Sequence, residues 1–188
     1  MRIITAPENY VKKPNDICVF LAGGITNCPD WQSEVLEKLA NTTNNDNLVI
    51  FNPRRSNFDV KNPNESIIQI TWEFKMLEMC DIFSMYFCGD TESYQPICFY
   101  ELGRNIARMQ MKYPGSWEDR IIVSCDKKFK RYKDVQLQTL LATNNNAKIN
   151  KMPEDIYSHY VRISTTYSRF NNSYNGDGNY RSIDVTYI

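Results

Sequence analysis

Two glutamates in this sequence have the residue type and the setting for acid–base or nucleophilic chemistry. Glu73 lies in Gln69-Ile70-Thr71-Trp72-Glu73 and Glu101 in Tyr100-Glu101-Leu102-Gly103, with one predicted strand between them. Two carboxylates that converge on one pocket can cleave a glycosidic bond, one attacking the sugar carbon while the other manages protons. Helical phase singles out Glu73. Ile70, Met76, Leu77 and Cys80 fall at i−3, i+3, i+4 and i+7 around it, so the carboxylate is expected along an apolar stripe, where charge is costly unless paired or used. Glu78 points the other way, to the surface. Glu101 aligns instead with Arg104, Asn105 and Arg108, opposite Leu102, Ile106 and Met109. On periodicity alone a surface i,i+3 pair with Arg104 is favoured. Its place in the first turns of a helix, in contrast, suits an ionised nucleophile. The two readings of Glu101 stay open at this level.

Other residues suggest contacts rather than chemistry. Gly23-Gly24 ends the first predicted apolar strand, where α/β proteins bind ligands, and allows either a tight turn or close backbone approach to a sugar or phosphate. It matches neither G-x-G-x-x-G nor a phosphate loop. Asn52-Pro53-Arg54-Arg55 sets two guanidinium groups beside a strand end, suited to an anion or to surface ion pairs. Phe58 could stack on a base or pack. The six cysteines have no paired C-x-x-C spacing and the one histidine, His159, lies far from them in sequence. Reduced, scattered thiols are expected, with neither a metal nor an organic cofactor. A single late histidine also gives little support to Ser-His-Asp or Cys-His catalysis.

The elements that must position these residues alternate. Predicted strands are Ile17–Ala22, Leu48–Phe51, Asp81–Phe87, Arg120–Ser124 and Ala147–Ile149. Helices are expected over Pro29–Leu39, Ser66–Cys80, from Pro96 onward, and from a capping Asp134 through Val135, Leu137, Leu140 and Leu141. This order implies an α/β, doubly wound sheet of about five mainly parallel strands with helices on both faces. A long polar loop from Arg54 to Glu65 interrupts it. The asparagine-rich stretch after about Phe170 reads as flexible, so the expected division is a domain over 1–167 and a polar tail over 168–188.

At 188 residues one core is the expectation. Charge is balanced, with 22 basic and 22 acidic residues, which argues against a general nucleic-acid or membrane-surface role. No apolar run approaches the roughly 20 residues of a membrane span, and the N-terminus lacks a secretory pattern; a cytoplasmic protein is expected.

The order of motifs is more specific than any one of them. Phe20-Leu21-Ala22-Gly23-Gly24-Ile25, Cys28-Pro29-Asp30-Trp31-Gln32, Asn52-Pro53-Arg54-Arg55, Trp72-Glu73-Phe74 and Tyr100-Glu101-Leu102-Gly103 occur in series. Together they resemble the nucleoside 2-deoxyribosyltransferase-like family, over about Met1 to Tyr160 and including Lys133-Asp134-Val135-Gln136-Leu137-Gln138. The resemblance implies a flavodoxin-like domain that cleaves the N-glycosidic bond of deoxynucleosides or their 5′-monophosphates and passes the sugar to another base or to water. It makes Glu101 the nucleophile and Glu73, often aspartate in the family, the supporting acid or base. Gly23, Gly24, Asn52, Arg54, Arg55, Phe58 and Trp72 become substrate-binding candidates. The family's oligomeric habit implies a homo-oligomer, with Asp134 and Gln138 as candidates to contribute across a subunit contact. Competing readings are a glycohydrolase of NAD or nucleotides and a non-catalytic nucleotide-binding protein.

Overall fold

The computed structural model describes residues 1–43, 46–59, 61–89, 91–146, 149 and 152–173. Five parallel strands form one sheet: β1 (Arg2–Thr5), β2 (Ile17–Gly23), β3 (Leu48–Asn52), β4 (Ile82–Phe87) and β5 (Ile121–Cys125), in the order β1-β3-β2-β4-β5. The helices are α1 (Trp31–Thr42), α2 (Pro63–Met79), α3 (Pro96–Lys112), α4 (Tyr132–Ala142) and α5 (Ile156–Ser173), with a short 3-10 turn at Trp117–Arg120. This is the α/β, doubly wound arrangement that the alternation predicts, consistent with the flavodoxin-like fold that the resemblance implies.

The strands are apolar along their whole length because both sheet faces are covered. On β2, Cys18, Phe20 and Ala22 pack with Trp72, Met76 and Leu77 of α2 and with Leu102 and Ile106 of α3. The alternate residues Ile17, Val19 and Leu21 face Trp31, Val35 and Leu39 of α1 and Ile163, Tyr167 and Phe170 of α5. The chain leaves β2 toward β3 over one face, then returns over the other to place β4 on the far side of β2. That reversal opens a crevice beyond the carboxyl ends of β2 and β4, the position where such sheets bind ligands.

Several elements differ from the sequence expectation. The edge strand is Arg2–Thr5, paired with β3 from Arg2 opposite Val49 to Thr5 opposite Asn52. The strand expected at 147–149 is not one of the five: Ile149 is helical in conformation, and residues 147 and 148 lie outside the described residues. Helix α2 starts at Pro63, earlier than expected, because Asn62 caps it by accepting from Asn64 N and Pro63 fills the first turn. Helix α4 starts at Tyr132, so Asp134 is not its cap; of its apolar residues Val135 is buried whereas Leu137 and Leu141 are exposed. Helix α5 continues to Ser173, beyond residue 167, and Phe170 on it is buried. The expected flexible tail lies, from residue 174, outside the described residues. Among the described residues no helix is long and apolar enough to cross a membrane.

Candidate active site

The β2–β4 crevice holds a cleft of about 200 Å³ that contains both glutamates. Its floor is Phe20, Ala22, Gly23 and Gly24 at the end of β2. One wall carries Pro53 and Glu73; the other carries Gln95, Pro96, Ile97, Cys98 and Glu101 at the start of α3. Glu73 and Glu101 are each half-buried. Helix α2 delivers Glu73 from the side and α3 delivers Glu101 from its second turn, so two elements that flank β4 in sequence converge on one space.

The electrostatics of the pair follow from that convergence. Burial, and then the neighbouring Glu73 charge, push the Glu101 carboxyl up to about 8, against the opposing Arg104. Glu73 is likewise raised by burial, with Gln69 and the positive Arg55 working the other way. Two carboxyls that repel each other in a poorly solvated cleft do not both ionise easily, and with its carboxyl raised to about 8 Glu101 holds its proton at neutral pH. The surface ion pair that periodicity favours for Glu101 does not form: Arg104 bonds Glu78 instead and lies over the Phe74 ring. On the stripe through Glu73, Met76, Leu77 and Cys80 are buried as expected, whereas Ile70 is exposed.

Two glutamines that sequence reasoning passed over shape this cleft. Gln69, one turn before Glu73, donates its amide to Glu73 Oε1 and to the Pro53 carbonyl, both at 2.8 Å. It thereby ties the carboxylate to the end of β3. Gln95 holds a left-handed backbone (φ 48) just before Pro96 and donates to the Cys88 carbonyl at 2.9 Å. Its position before Pro96, where α3 starts, was the one available signal.

The remaining predicted residues have more internal roles. Gly23, at φ 152, leaves no room for a side chain, since a Cβ would lie 2.3 Å from the Tyr86 carbonyl. Gly24 O accepts from Trp31 Nε1 at 3.0 Å. Arg54 is spent on the loop below Gly24: it donates to Gln32 Oε1 at 2.9 Å and to the Pro29 carbonyl at 2.8 Å, and pairs with Asp30 at 3.3 Å. Asn52 is buried, and its side chain accepts from Arg54 N at 3.1 Å. Arg55 pairs with Glu65 and lies over the Phe58 ring, 4.9 Å from its centroid. Trp72 is buried against Phe20 and Phe51 and donates to the Glu8 carbonyl at 2.7 Å. Asp134 and Gln138 lie elsewhere, in a separate hollow with Arg131 and Phe99, where Asp134 pairs with Arg131 at 2.6 Å. Of the predicted set, the structure therefore brings together Gly23, Gly24, Glu73 and Glu101. Among the described residues no three His, Cys, Asp or Glu side chains gather as a metal-binding group.

The stretch that builds this cleft, from β2 to the end of α3, coincides with a match to a family model described as nucleoside 2-deoxyribosyltransferase like, which covers residues 16–113. The chain belongs to the nucleoside 2-deoxyribosyltransferase-like family. No curated protein matches its sequence closely enough to count as a relative. The family match includes Gly23, Gly24, Gln69, Glu73, Gln95 and Glu101, whereas Asp134 and Gln138 fall outside it. Nucleoside 2-deoxyribosyltransferase-like membership points to glycosyl transfer on nucleosides.

Proposed function

We propose that this protein cleaves the N-glycosidic bond of 2′-deoxynucleosides, with Glu101 as nucleophile and Glu73 as its proton partner. The observation that carries this reading is the pair itself: two glutamates line one crevice of the parallel sheet, burial raises both carboxyls, and the Glu73 charge raises Glu101 further. In the reactive state the proton has passed from Glu101 to Glu73, which leaves Glu101 ionised. Glu101 then attacks the anomeric carbon through an oxocarbenium-like transition state as the base departs with its bonding electrons. Glu73 gives the departing base its proton, leaving a deoxyribosyl ester on Glu101 and a Glu73 carboxylate. An incoming base, or water, returns a proton to Glu73 as it attacks the same carbon and frees Glu101. Two displacements at one carbon give net retention.

A free nucleoside is favoured over its 5′-monophosphate. The guanidinium of Arg54 is already bonded to loop carbonyls and Asp30, and that of Arg55 to Glu65. Among the described residues that line the cleft none is basic. The cleft is also smaller than the roughly 300–1,000 Å³ that encloses a whole drug-sized ligand, so the sugar would sit inside and part of the base at the mouth. A homo-oligomer is supported by exposed apolar residues on the two helices that carry the glutamates: Ile67, Ile70 and Phe74 on α2, and Ile97 and Tyr100 on α3.

The test is product analysis on a panel of deoxynucleosides and deoxynucleoside monophosphates, with and without an acceptor base. Release of free base from nucleosides, and base exchange when an acceptor is present, are the expected results. Intact substrate across the whole panel would overturn the proposal and favour a binding role.

A further inference from the structure

Glu65, Gln69 and Glu73 recur at every fourth residue of α2, so they share one face of the helix. That face runs along the chain as it leaves β3. Glu65 pairs with Arg55, and Gln69 Nε2 donates to the Pro53 carbonyl at 2.8 Å. The same nitrogen donates to Glu73 Oε1 at 2.8 Å. A side-chain amide nitrogen carries two hydrogens, so both are used. The Pro53 carbonyl can only accept, and it fixes which way the amide faces. Turned over, the Gln69 oxygen would meet the carbonyl oxygen at hydrogen-bond distance. Glu73 Oε1 is therefore always offered a donor, whereas Glu73 Oε2 receives no hydrogen bond from the described residues. The arrangement is costly to Gln69. Its own oxygen is buried and has no partner among the described residues, a deficit that native amides mostly avoid.

We propose that Gln69 is a positioning residue that keeps Glu73 Oε1 as the accepting oxygen, so that the proton of Glu73 rides on Oε2 and is delivered from there. The inference rests on the reading of Glu73 as the proton partner in N-glycosidic cleavage and adds the atom that acts. A proton on Oε1 would face the Gln69 N–H, donor against donor, whereas a proton on Oε2 leaves that hydrogen bond intact. As the bond from sugar carbon to base nitrogen breaks, its electrons stay with the base, and the proton passes from Glu73 Oε2 to a base nitrogen. The negative charge left on Glu73 is met at Oε1 by the Gln69 hydrogen bond, which strengthens as its acceptor becomes charged. On the return step the incoming base or water gives its proton back to Oε2. Burial raises Glu73 and the Gln69 bond opposes that rise; without the bond, Glu73 holds its proton more tightly.

The experiment compares the parent with Gln69→Met, which keeps much of the side chain's length and loses both donors. The substrates are a deoxynucleoside that the parent cleaves and 7-methyl-2′-deoxyguanosine, whose cationic base departs without taking up a proton. For the first, kcat/KM is expected to fall roughly 10- to 100-fold, the scale of a misplaced proton donor, with its alkaline limb moved to higher pH. For the second it should stay within about twofold, because no proton is delivered. Equal losses on both substrates, or an unchanged kcat/KM and pH profile, would overturn the proposal. A parent that releases no base from any deoxynucleoside fails the nucleoside reading instead. In that case, or where Gln69→Met does not fold by circular dichroism, NMR of the two Gln69 side-chain amide protons in the unaltered protein decides. The proton on Glu73 should shift as that carboxyl titrates while the proton on Pro53 stays in place; two protons that move together, or neither moving, refute the assignment.

Discussion

With its carboxyl raised to about 8 by burial and by Glu73, Glu101 binds a proton more tightly in the folded chain than in the unfolded one, where roughly 4.3 applies. Folding therefore loses stability as pH rises from about 4 to 8, and the full cost is present above 8. Glu101→Gln removes the titration without removing the side chain's volume. It should melt at a higher temperature than the parent at pH 9, by roughly 3–6 °C, and at the same temperature near pH 4; thermal scans at both values check this. The same proton governs the proposed reaction. Base release should fall above about pH 8, where the pair gives up its last proton, and fall again in acid, where both carboxyls are protonated. A pH profile of kcat/KM that stays flat through 8 would contradict that coupling. Little of this was legible beforehand. Phase marked Glu73 as unusual, but nothing in the sequence shows that Arg104 turns away to Glu78 and leaves Glu101 facing its neighbour.

Among the elements, α5 shows how a clear pattern can be hidden by composition. Tyr160, Ile163, Tyr167 and Phe170 recur on one helical face and are buried, yet the serine, threonine and asparagine residues around them are poor helix formers and read as the approach to a tail. The helix also carries His159 into the core, where its ring bonds Ser84 Oγ at 2.9 Å and Ser124 Oγ at 2.7 Å. The sequence reading left this histidine without a role; its role is to join α5 to β4 and β5 through two serines. Burial lowers the imidazole to about 3, against roughly 6.5 when unfolded. The unfolded state thus binds the extra proton first, and this contribution to stability is lost as pH falls below 6.5 toward 3, by up to about 1.4 kcal/mol per pH unit. Urea unfolding at pH 7 and pH 5 should show the loss, and His159→Gln should flatten it while lowering stability at pH 7. Equal pH slopes for the two proteins would refute the assignment.

For the molecule as a whole, the strand runs and the Gly-Gly turn were enough to foretell a parallel sheet with a crevice at its carboxyl edge. Apolar strands buried on both faces leave few other solutions. The edge strand Arg2–Thr5 escaped notice because it is short and only partly buried. Side-chain contacts were the illegible part. Arg54, Trp72 and Phe58 suit a ligand by residue type, and only the folded chain reveals that loop carbonyls, the Glu8 carbonyl and Arg55 already engage them. On the outer surface, Ile67, Ile70, Phe74, Ile97 and Tyr100 remain exposed beside the cleft, and a second copy of the chain is their proposed cover. Phe74→Glu should shift the species seen by light scattering toward monomer; an unchanged oligomer, or a parent that is already monomeric, would contradict that arrangement. The central claim is tested most directly by mixing the protein with a deoxynucleoside, quenching in acid, and mapping peptides by mass. The account predicts one deoxyribosyl group on Glu101 and none in Glu101→Ala. Base release at the parent rate by Glu101→Ala, or an adduct on Glu73 instead, would contradict it.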